Sequence, residues 1–416
     1  MRTPHLISAA AVLLLVTAVL TGGTLYARWV EGRYIHALAP QMFEQKNQGS
    51  ALQRAAFRQP DLLPVYGSSE LPISTPYHAS ALFRDYPTGF TIFPVGKPAT
   101  TSLIWLQELA AVGPDLRGKK VVLSLSPSTF FVHDMIDPES YAGNFSLLHA
   151  SELAFSSQLS FAVKEGAARR MLDYPATLQQ APLLKFALEK LADGSALNRI
   201  FYYAVLPLGK LQIVVLRLKD HWETLAFLRR QDGLRSRVPR QGARLDWPQL
   251  LERARRESEQ LADNNPFGFD RSFWLTRADE IAKQKGIHTD QEFLRSLERC
   301  SEWADLNLLL HGLKDLGARV LILSMPIKGA YHDYVGISAQ ARRAYYGKLH
   351  QLAKRTGAPV MDFADHDGDC YFLTNWSFHL SREGWLYYDR ALDAFFHDRP
   401  VETEILEMSA AEQRGS

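Results

Sequence analysis

The sequence predicts an α/β fold, a parallel sheet flanked by helices, with one apolar helix ahead of it. Three observations point there. Short apolar runs at Leu62–Tyr66, Thr91–Val95, Val121–Leu123 and Ala318–Ser324 alternate with turns and helix-like stretches, the order that builds a doubly wound sheet. The Val121–Leu123 run is apolar at every position, as a strand covered on both faces requires. Finally, Leu6–Ala27 carries no charged side chain, and at about 1.5 Å rise per residue it matches a hydrocarbon core about 30 Å thick.

That first segment has two readings. A secretory signal has a shorter apolar stretch and a small-residue cleavage site. Ala37-Leu38-Ala39 supplies small residues, but Pro40 follows directly and the apolar run is long. An uncleaved anchor over residues 1–27 is therefore the favoured expectation. Arg2 precedes the run, and Arg28, Glu31 and Arg33 follow it, so flanking charge gives little orientation. With the N-terminus inside, Tyr34 onward stands on the extracytoplasmic side (periplasmic or cell-surface) of the cytoplasmic membrane, held by a single pass. The Gly22-Gly23 pair suits either close packing with a membrane partner or a flexible point.

Residues 28–60 have mixed charge and read as a helical stalk or linker ending near Gln59-Pro60. Residues 61–400 form the main domain. Its first strand, Leu62–Tyr66, breaks at Gly67, and Pro72 restricts any helix opening at Glu70. A second strand at Thr91–Val95 precedes Gly96, and residues 100–112 read as a helix. From about 144 to 256 the chain is mainly helix-like, too long for a simple crossover, and is expected to be an insertion forming one wall of the site. Ile213–Leu218 within it suits a strand or an apolar helix face. Helices are expected over 301–316, 337–356 and 384–396, and strands over Ala318–Ser324 and Val360–Phe363. Residues 401–416 read as a flexible tail.

Lys and Arg total 47 against 45 Asp and Glu; this near-neutral balance gives no reason to expect nucleic acid. The pairs Arg169-Arg170, Arg229-Arg230 and Arg255-Arg256 suit solvated helix faces or contact with an anionic polymer or lipid headgroups. Cys300 and Cys370 allow one bridge or two separate thiols. Asp365, His366, Asp367 and Asp369 resemble a ligand cluster but lack the spacing of a calcium loop. No metal and no cofactor is expected.

Two stretches carry chemistry. Gly67-Ser68-Ser69-Glu70 follows the first strand, where a turn serine exposes its hydroxyl at the carboxyl edge of a parallel sheet. Gly67 permits a close turn, and nearby N–H groups suit a developing oxyanion; an ordinary turn serine is the competing reading. Far along the chain, His379 stands just before a helix that Ser381 is placed to cap. A histidine held at the sheet edge can deprotonate a serine brought to it by folding; a structural histidine in an aromatic cluster is the alternative, and spacing does not decide between them. Tyr331 and Tyr334 follow the Ala318–Ser324 strand and suit either substrate contact or loop packing. His332 is the weaker catalytic histidine.

Five stretches carry a resemblance: GSSEL (67–71), SPSTFF (126–131), NNPFG (264–268), MPIKGAYHDYVG (325–336) and YFLTNWSFHLSREGW (371–385). In this order and spacing the chain resembles the DltD family of teichoic acid D-alanylation proteins, and GSSEL resembles the nucleophile block of the SGNH hydrolase superfamily. The resemblance implies an SGNH-hydrolase-like (flavodoxin-like) fold with Ser69, rather than Ser68, as nucleophile and His379 as its base. It implies backbone oxyanion donors at Ser69 and Gly96, and a cleft lined by Ser126 and Ser128. The implied activity is serine-dependent transfer of an acyl (D-alanyl) group to an anionic cell-envelope polymer. Implied partners are a membrane-bound O-acyltransferase of the MBOAT type and an acyl carrier protein. An esterase or thioesterase, and a non-catalytic assembly protein for a membrane O-acyltransferase, are the alternatives.

One position departs from the pattern. The family places an aspartate three residues before the histidine; here that residue is Trp376. Asn375 orienting the imidazole, a carboxylate from Asp367 or Asp369, and a Ser–His dyad all remain open.

Overall fold

The computed structural model describes residues 3–72, 75–131, 137–231, 242, 244–376 and 378–415. Arg2, Ser377 of the histidine motif, and residues 232–241 and 243 of the expected insertion lie outside them. Five parallel strands form one sheet: β1 (Leu62–Tyr66), β2 (Thr91–Val95), β3 (Lys120–Leu125), β4 (Arg319–Ser324) and β5 (Val360–Met361), in the order β2-β1-β3-β4-β5. Two prolines sit where the ladder tolerates them. Pro94 is on the edge strand β2, and Pro64 of β1 lies just ahead of the short β1–β3 pairing at Val65↔Val122 and Tyr66↔Leu123, so neither missing N–H removes a bond from the sheet centre.

Seven helices matter to the argument: α1 (Thr3–Leu38), α2 (Ser102–Val112), α3 (Ala196–Arg229), α4 (Glu302–Leu316), α5 (Ala339–Thr356), α6 (Arg382–Phe396) and α7 (Val401–Gly415). The chain steps from β1 outward to β2, then crosses back past β1 to β3 and continues to β4 and β5. Because parallel crossovers are right-handed, the Ala79–Asp85 helix between β1 and β2 covers one face, and α2, α4 and α5 cover the other. The strand order reverses between β1 and β3, and the crevice outside their carboxyl ends is where open α/β sheets bind ligands. Leu63, Tyr66, Phe93, Val121, Val122, Leu321 and Ile322 are buried at the centre of the core.

The stretch beyond the apolar run is not a free stalk. The α1 helix continues to Leu38, and Ile35, Leu38 and Ala39 join the core; the whole helix Ala51–Phe57 is buried. Val401–Gly415 also departs from the expected flexible tail, since α7 buries Ile405 and Met408, one turn apart, and Glu404 pairs with Arg390 and Arg399; Ser416 lies outside the described residues. The expected insertion is a run of helices from Pro138–Asn144 to Trp247–Ala262, and Ile213–Leu218 lies inside α3. Cys300 and Cys370 are separate thiols.

Candidate active site

The block after β1 is shaped by two glycines in close approach. Gly67 N–H donates to Val95 O at 3.0 Å. Gly96, at the end of β2, has φ +138, and a Cβ there would lie 2.0 Å from Gly67 O. A side chain at 96 would push the two strand ends apart. Beneath the turn, Glu70 is buried and its Oε1 accepts from Ser68 N–H at 3.0 Å. Burial pushes this carboxyl above its ordinary value, against the opposing hydrogen bond from Ser68. Glu70 thus folds under the turn, leaving Ser69 half-exposed at its crest.

The histidine is mounted differently. Leu373 and Leu380 pair as an antiparallel bridge, and Thr374 N–H donates to His379 O at 2.8 Å, closing a small hairpin. Phe378, buried within it, has φ +62, a conformation unfavourable to a non-glycine residue and typical of functional loops. Ser381 accepts from Gly384 N–H at 3.1 Å and caps α6 as expected. Lys328 fastens the hairpin from below: its buried Nζ donates to Gly268 O (3.2 Å), Cys370 O (2.7 Å) and Leu373 O (2.5 Å). An ammonium has three protons for three such acceptors, and burial lowers its pKa to about 8.

Folding brings the two mounts together. His379 Nε2 lies 3.1 Å from Ser69 Oγ. Burial lowers the pKa of His379, which favours the neutral ring that a base requires. On the other side of the ring, Asn375 Nδ2 lies 3.0 Å from Nδ1, and Asn375 Oδ1 accepts from His379 N–H at 3.4 Å. Donation from Nδ2 to Nδ1 leaves the ring proton on Nε2, pointing at the serine. A half-turn of the amide would set Oδ1 against Nδ1–H and free Nε2 to accept a proton.

Several expectations are corrected. Asp367 accepts from Ile327 N–H (2.7 Å), Tyr346 OH (2.5 Å) and Arg342 Nε (3.2 Å), binding the loop after β4 to α5. Asp369 accepts from Tyr371 N–H at 2.8 Å and faces His366. Both carboxylates are committed elsewhere, and neither bonds His379. The N–H of Gly96 is also taken, donating to the buried Asn47 Oδ1 at 3.0 Å, so this glycine sets the turn's shape and is not a free oxyanion donor. Tyr334 turns away, its hydroxyl donating to Ala282 O at 3.3 Å and its ring against Phe267.

Of the other expected contacts, Ser128 and Tyr331 line a neighbouring cavity whose lining takes in neither Ser69 nor His379. Ser126 and Ser128 follow β3, their hydroxyls 2.9 Å apart. Ser128, Phe131, Phe293, Tyr331, Trp376 and Phe378 line this cavity of ≈ 490 Å³. Trp376 packs on Tyr331 and Phe273 in its wall, so the residue standing where the family has aspartate serves the aromatic lining. His332, also in the lining, donates from Nδ1–H to Lys328 O, 2.9 Å away, and burial lowers its pKa to about 4. A larger hollow of ≈ 810 Å³ borders Thr88, Trp247, Arg390 and His397, and holds none of the expected site residues.

Asn47 and Lys328 shape the site without having been assigned such roles from the sequence. Asn47 lies in the stretch read as stalk, and Lys328 acts on main-chain carbonyls that no side-chain pattern marks. Glu70, inside the nucleophile block, and Lys328, inside the 325–336 stretch, both stand in segments that carried the resemblance.

The family model described as "DltD protein" matches residues 39–397. The chain belongs to the DltD family. Curated members similar to it include Protein DltD of Bacillus subtilis (strain 168), 30% identical over 86% of this chain and 88% of that one. Protein DltD of Staphylococcus aureus (strain NCTC 8325 / PS 47) is 24% identical over 86% of each chain. Protein DltD of Lacticaseibacillus rhamnosus is 24% identical over 87% of this chain and 83% of its own. The DltD match takes in all five stretches that carried the resemblance, and it begins at Ala39, just after α1.

Proposed function

We propose that this DltD-family chain is a membrane-anchored, extracytoplasmic serine acyltransferase that moves an acyl group, D-alanyl by its family, onto a hydroxyl of an anionic cell-envelope polymer. The observation that carries this reading is the 3.1 Å approach of His379 Nε2 to Ser69 Oγ at the switch point of the sheet. A hydroxyl and a half-buried neutral imidazole at that distance are the parts needed for nucleophilic catalysis.

In the first half-reaction, with the Asn375 amide turned so that Oδ1 accepts from Nδ1–H and Nε2 is bare, Ser69 Oγ attacks the donor's acyl carbon and its proton passes to Nε2. Ser69 N–H has no acceptor among the described residues and is the backbone donor available to the oxyanion. Collapse of the tetrahedral intermediate expels the donor's alcohol or thiol, which takes the proton from His379. In the second half-reaction His379 deprotonates the acceptor hydroxyl, the acceptor attacks the acyl-serine, and Ser69 Oγ leaves with that proton. Asn375 positions the ring throughout. A donor delivered through a membrane O-acyltransferase of the MBOAT type, fed by an acyl carrier protein, suits a domain tethered to the bilayer by α1.

A second reading is a non-catalytic assembly protein for that acyltransferase. It is favoured by the amide, in place of a carboxylate, at Nδ1 and by the ring proton this leaves on Nε2. Polymer-linked D-alanine in cells carrying Ser69→Ala separates the two. Loss of the ester supports catalysis; wild-type levels would remove Ser69 from the chemistry. Labelled donor then distinguishes acyl-acceptor from free acid, and hence transfer from hydrolysis.

A further inference from the structure

The helix α3 has two apolar faces, and among the described residues only one of them is covered. Its inner face buries Tyr202, Gly209, Ile213, Thr224 and Leu228. A Cβ at Gly209 would lie 2.4 Å from the Phe155 ring, and Asp220 Oδ2 accepts from Ser50 N–H and Ala51 N–H at 2.9 Å. On the outer face Leu197, Phe201, Leu208, Leu211, Val215 and Trp222 stand exposed, joined by Ile200, Tyr203 and Val214. By length and composition α3 is apolar enough to cross a membrane. It cannot do so alone, because its inner face is fastened to the domain.

Two features say what covers the outer face. First, at 3.6 residues per turn the exposed apolar residues sweep an arc of about 160°, far wider than the seam that one partner helix fills. Arg199 and Lys210, both exposed, fall along one border of that arc, the arrangement of a helix lying in a membrane interface. Second, the surface is continuous with the anchor. His221 Nδ1 lies 2.6 Å from Glu31 Oε1, and Tyr26, Trp29 and Val30 of α1 share a groove with Leu225 and Leu228 of α3. The end of α3 therefore meets α1 just where its uncharged run stops, and Tyr26, Trp29 and Trp222 mark the depth at which indoles and phenols settle.

We infer that the outer face of α3 beds into the headgroup–acyl boundary of the leaflet from which α1 emerges, so the domain rests on the bilayer along this helix and does not hang from a single tether. This rests on the reading of α1 as an anchor. The occupant is phospholipid; a partner's membrane helix and a second copy of the chain are the rivals that the test must expose.

The test uses the full chain, with Cys300→Ala and Cys370→Ala, in nanodiscs of phosphatidylcholine and phosphatidylglycerol holding one chain each. Nitroxides are attached singly after Leu208→Cys, Leu211→Cys or Val215→Cys, at sites 57%, 61% and 58% exposed, where the core is untouched. References are Leu14→Cys on α1 and Lys285→Cys, exposed and far from α3 in sequence. The ratio of oxygen to nickel-chelate accessibility is expected to exceed that at Lys285 by about fivefold or more at all three sites. Ratios equal to that at Lys285, with Leu14 shielded, overturn the bedding and leave the anchor standing. A nickel-accessible Leu14 overturns the anchor itself. Shielding of α3 only after a membrane O-acyltransferase is added, or only in discs holding two chains, overturns lipid as the occupant.

Discussion

His379 Nε2 and Ser69 Oγ stand 3.1 Å apart although 310 positions separate them in the chain. The serine reaches that point from the end of a strand, the histidine from a hairpin fastened by Lys328. Their contact therefore depends on the sheet, on the hairpin and on the clamp between them, and each dependence can be tested separately.

The first test concerns the far side of the imidazole. Burial lowers the His379 pKa from its ordinary 6.5. Since only the neutral ring can accept the serine proton, the acid limb of kcat/KM should have its midpoint below 6.5. Asn375→Asp adds a negative charge beside Nδ1, which stabilises the imidazolium and raises the pKa. The limb should therefore move to higher pH. The same carboxylate fixes the proton on Nδ1, and kcat on the plateau should rise by about tenfold. A pH–rate profile with a surrogate ester measures both.

A Cβ at position 96 meets a carbonyl, not a movable side chain. Gly96→Ala should cost on the order of 2–4 kcal/mol of stability, through backbone strain and steric overlap. The denaturant midpoint should fall at unchanged slope, and acyl transfer should be lost at temperatures where the protein is still folded.

Lys328→Met keeps the side chain's length and removes its three donors. The carbonyls of Gly268, Cys370 and Leu373 then lose a shared partner, at a cost of about 2–4 kcal/mol. Because the clamp holds the histidine hairpin, kcat should fall with KM little changed. Amide exchange across residues 372–380 should accelerate more than in β3, a local loosening that general destabilisation would not produce.

Asp367→Asn tests the correction to the carboxylate expectation. Its bonds to Ile327, Tyr346 and Arg342 predict a stability loss of about 1–3 kcal/mol with the acid limb of the pH profile unmoved. A limb displaced to lower pH would mean that this carboxylate acts on the imidazole after all.

The sheet was legible because its strands are continuous apolar runs, which read the same way from sequence and from structure. The last strand was legible only in part. Val360–Phe363 was expected, but Phe363 has φ +50, and the ladder ends at Met361. The polar composition of SAAEQRGS concealed α7, whose order comes from Ile405 and Met408 reaching the core. Within the site, Ser69, His379 and Asn375 were legible because a motif surrounds them. Gly96 was located but assigned the wrong role, since the acceptor of its N–H, Asn47, comes from a stretch whose packing against the domain cannot be read from charge pattern. Lys328 was silent for the same reason: main-chain oxygens leave no trace in a sequence.

Ser69 stands at the end of a sheet strand, whereas His379 sits on a hairpin whose Phe372, Leu373, Phe378 and Leu380 are buried in the core and whose Leu373 carbonyl Lys328 holds. A hairpin held by packing as well as by hydrogen bonds does not swing out freely, so in the proposed reaction an acceptor has to approach Ser69 past an imidazole that keeps its place.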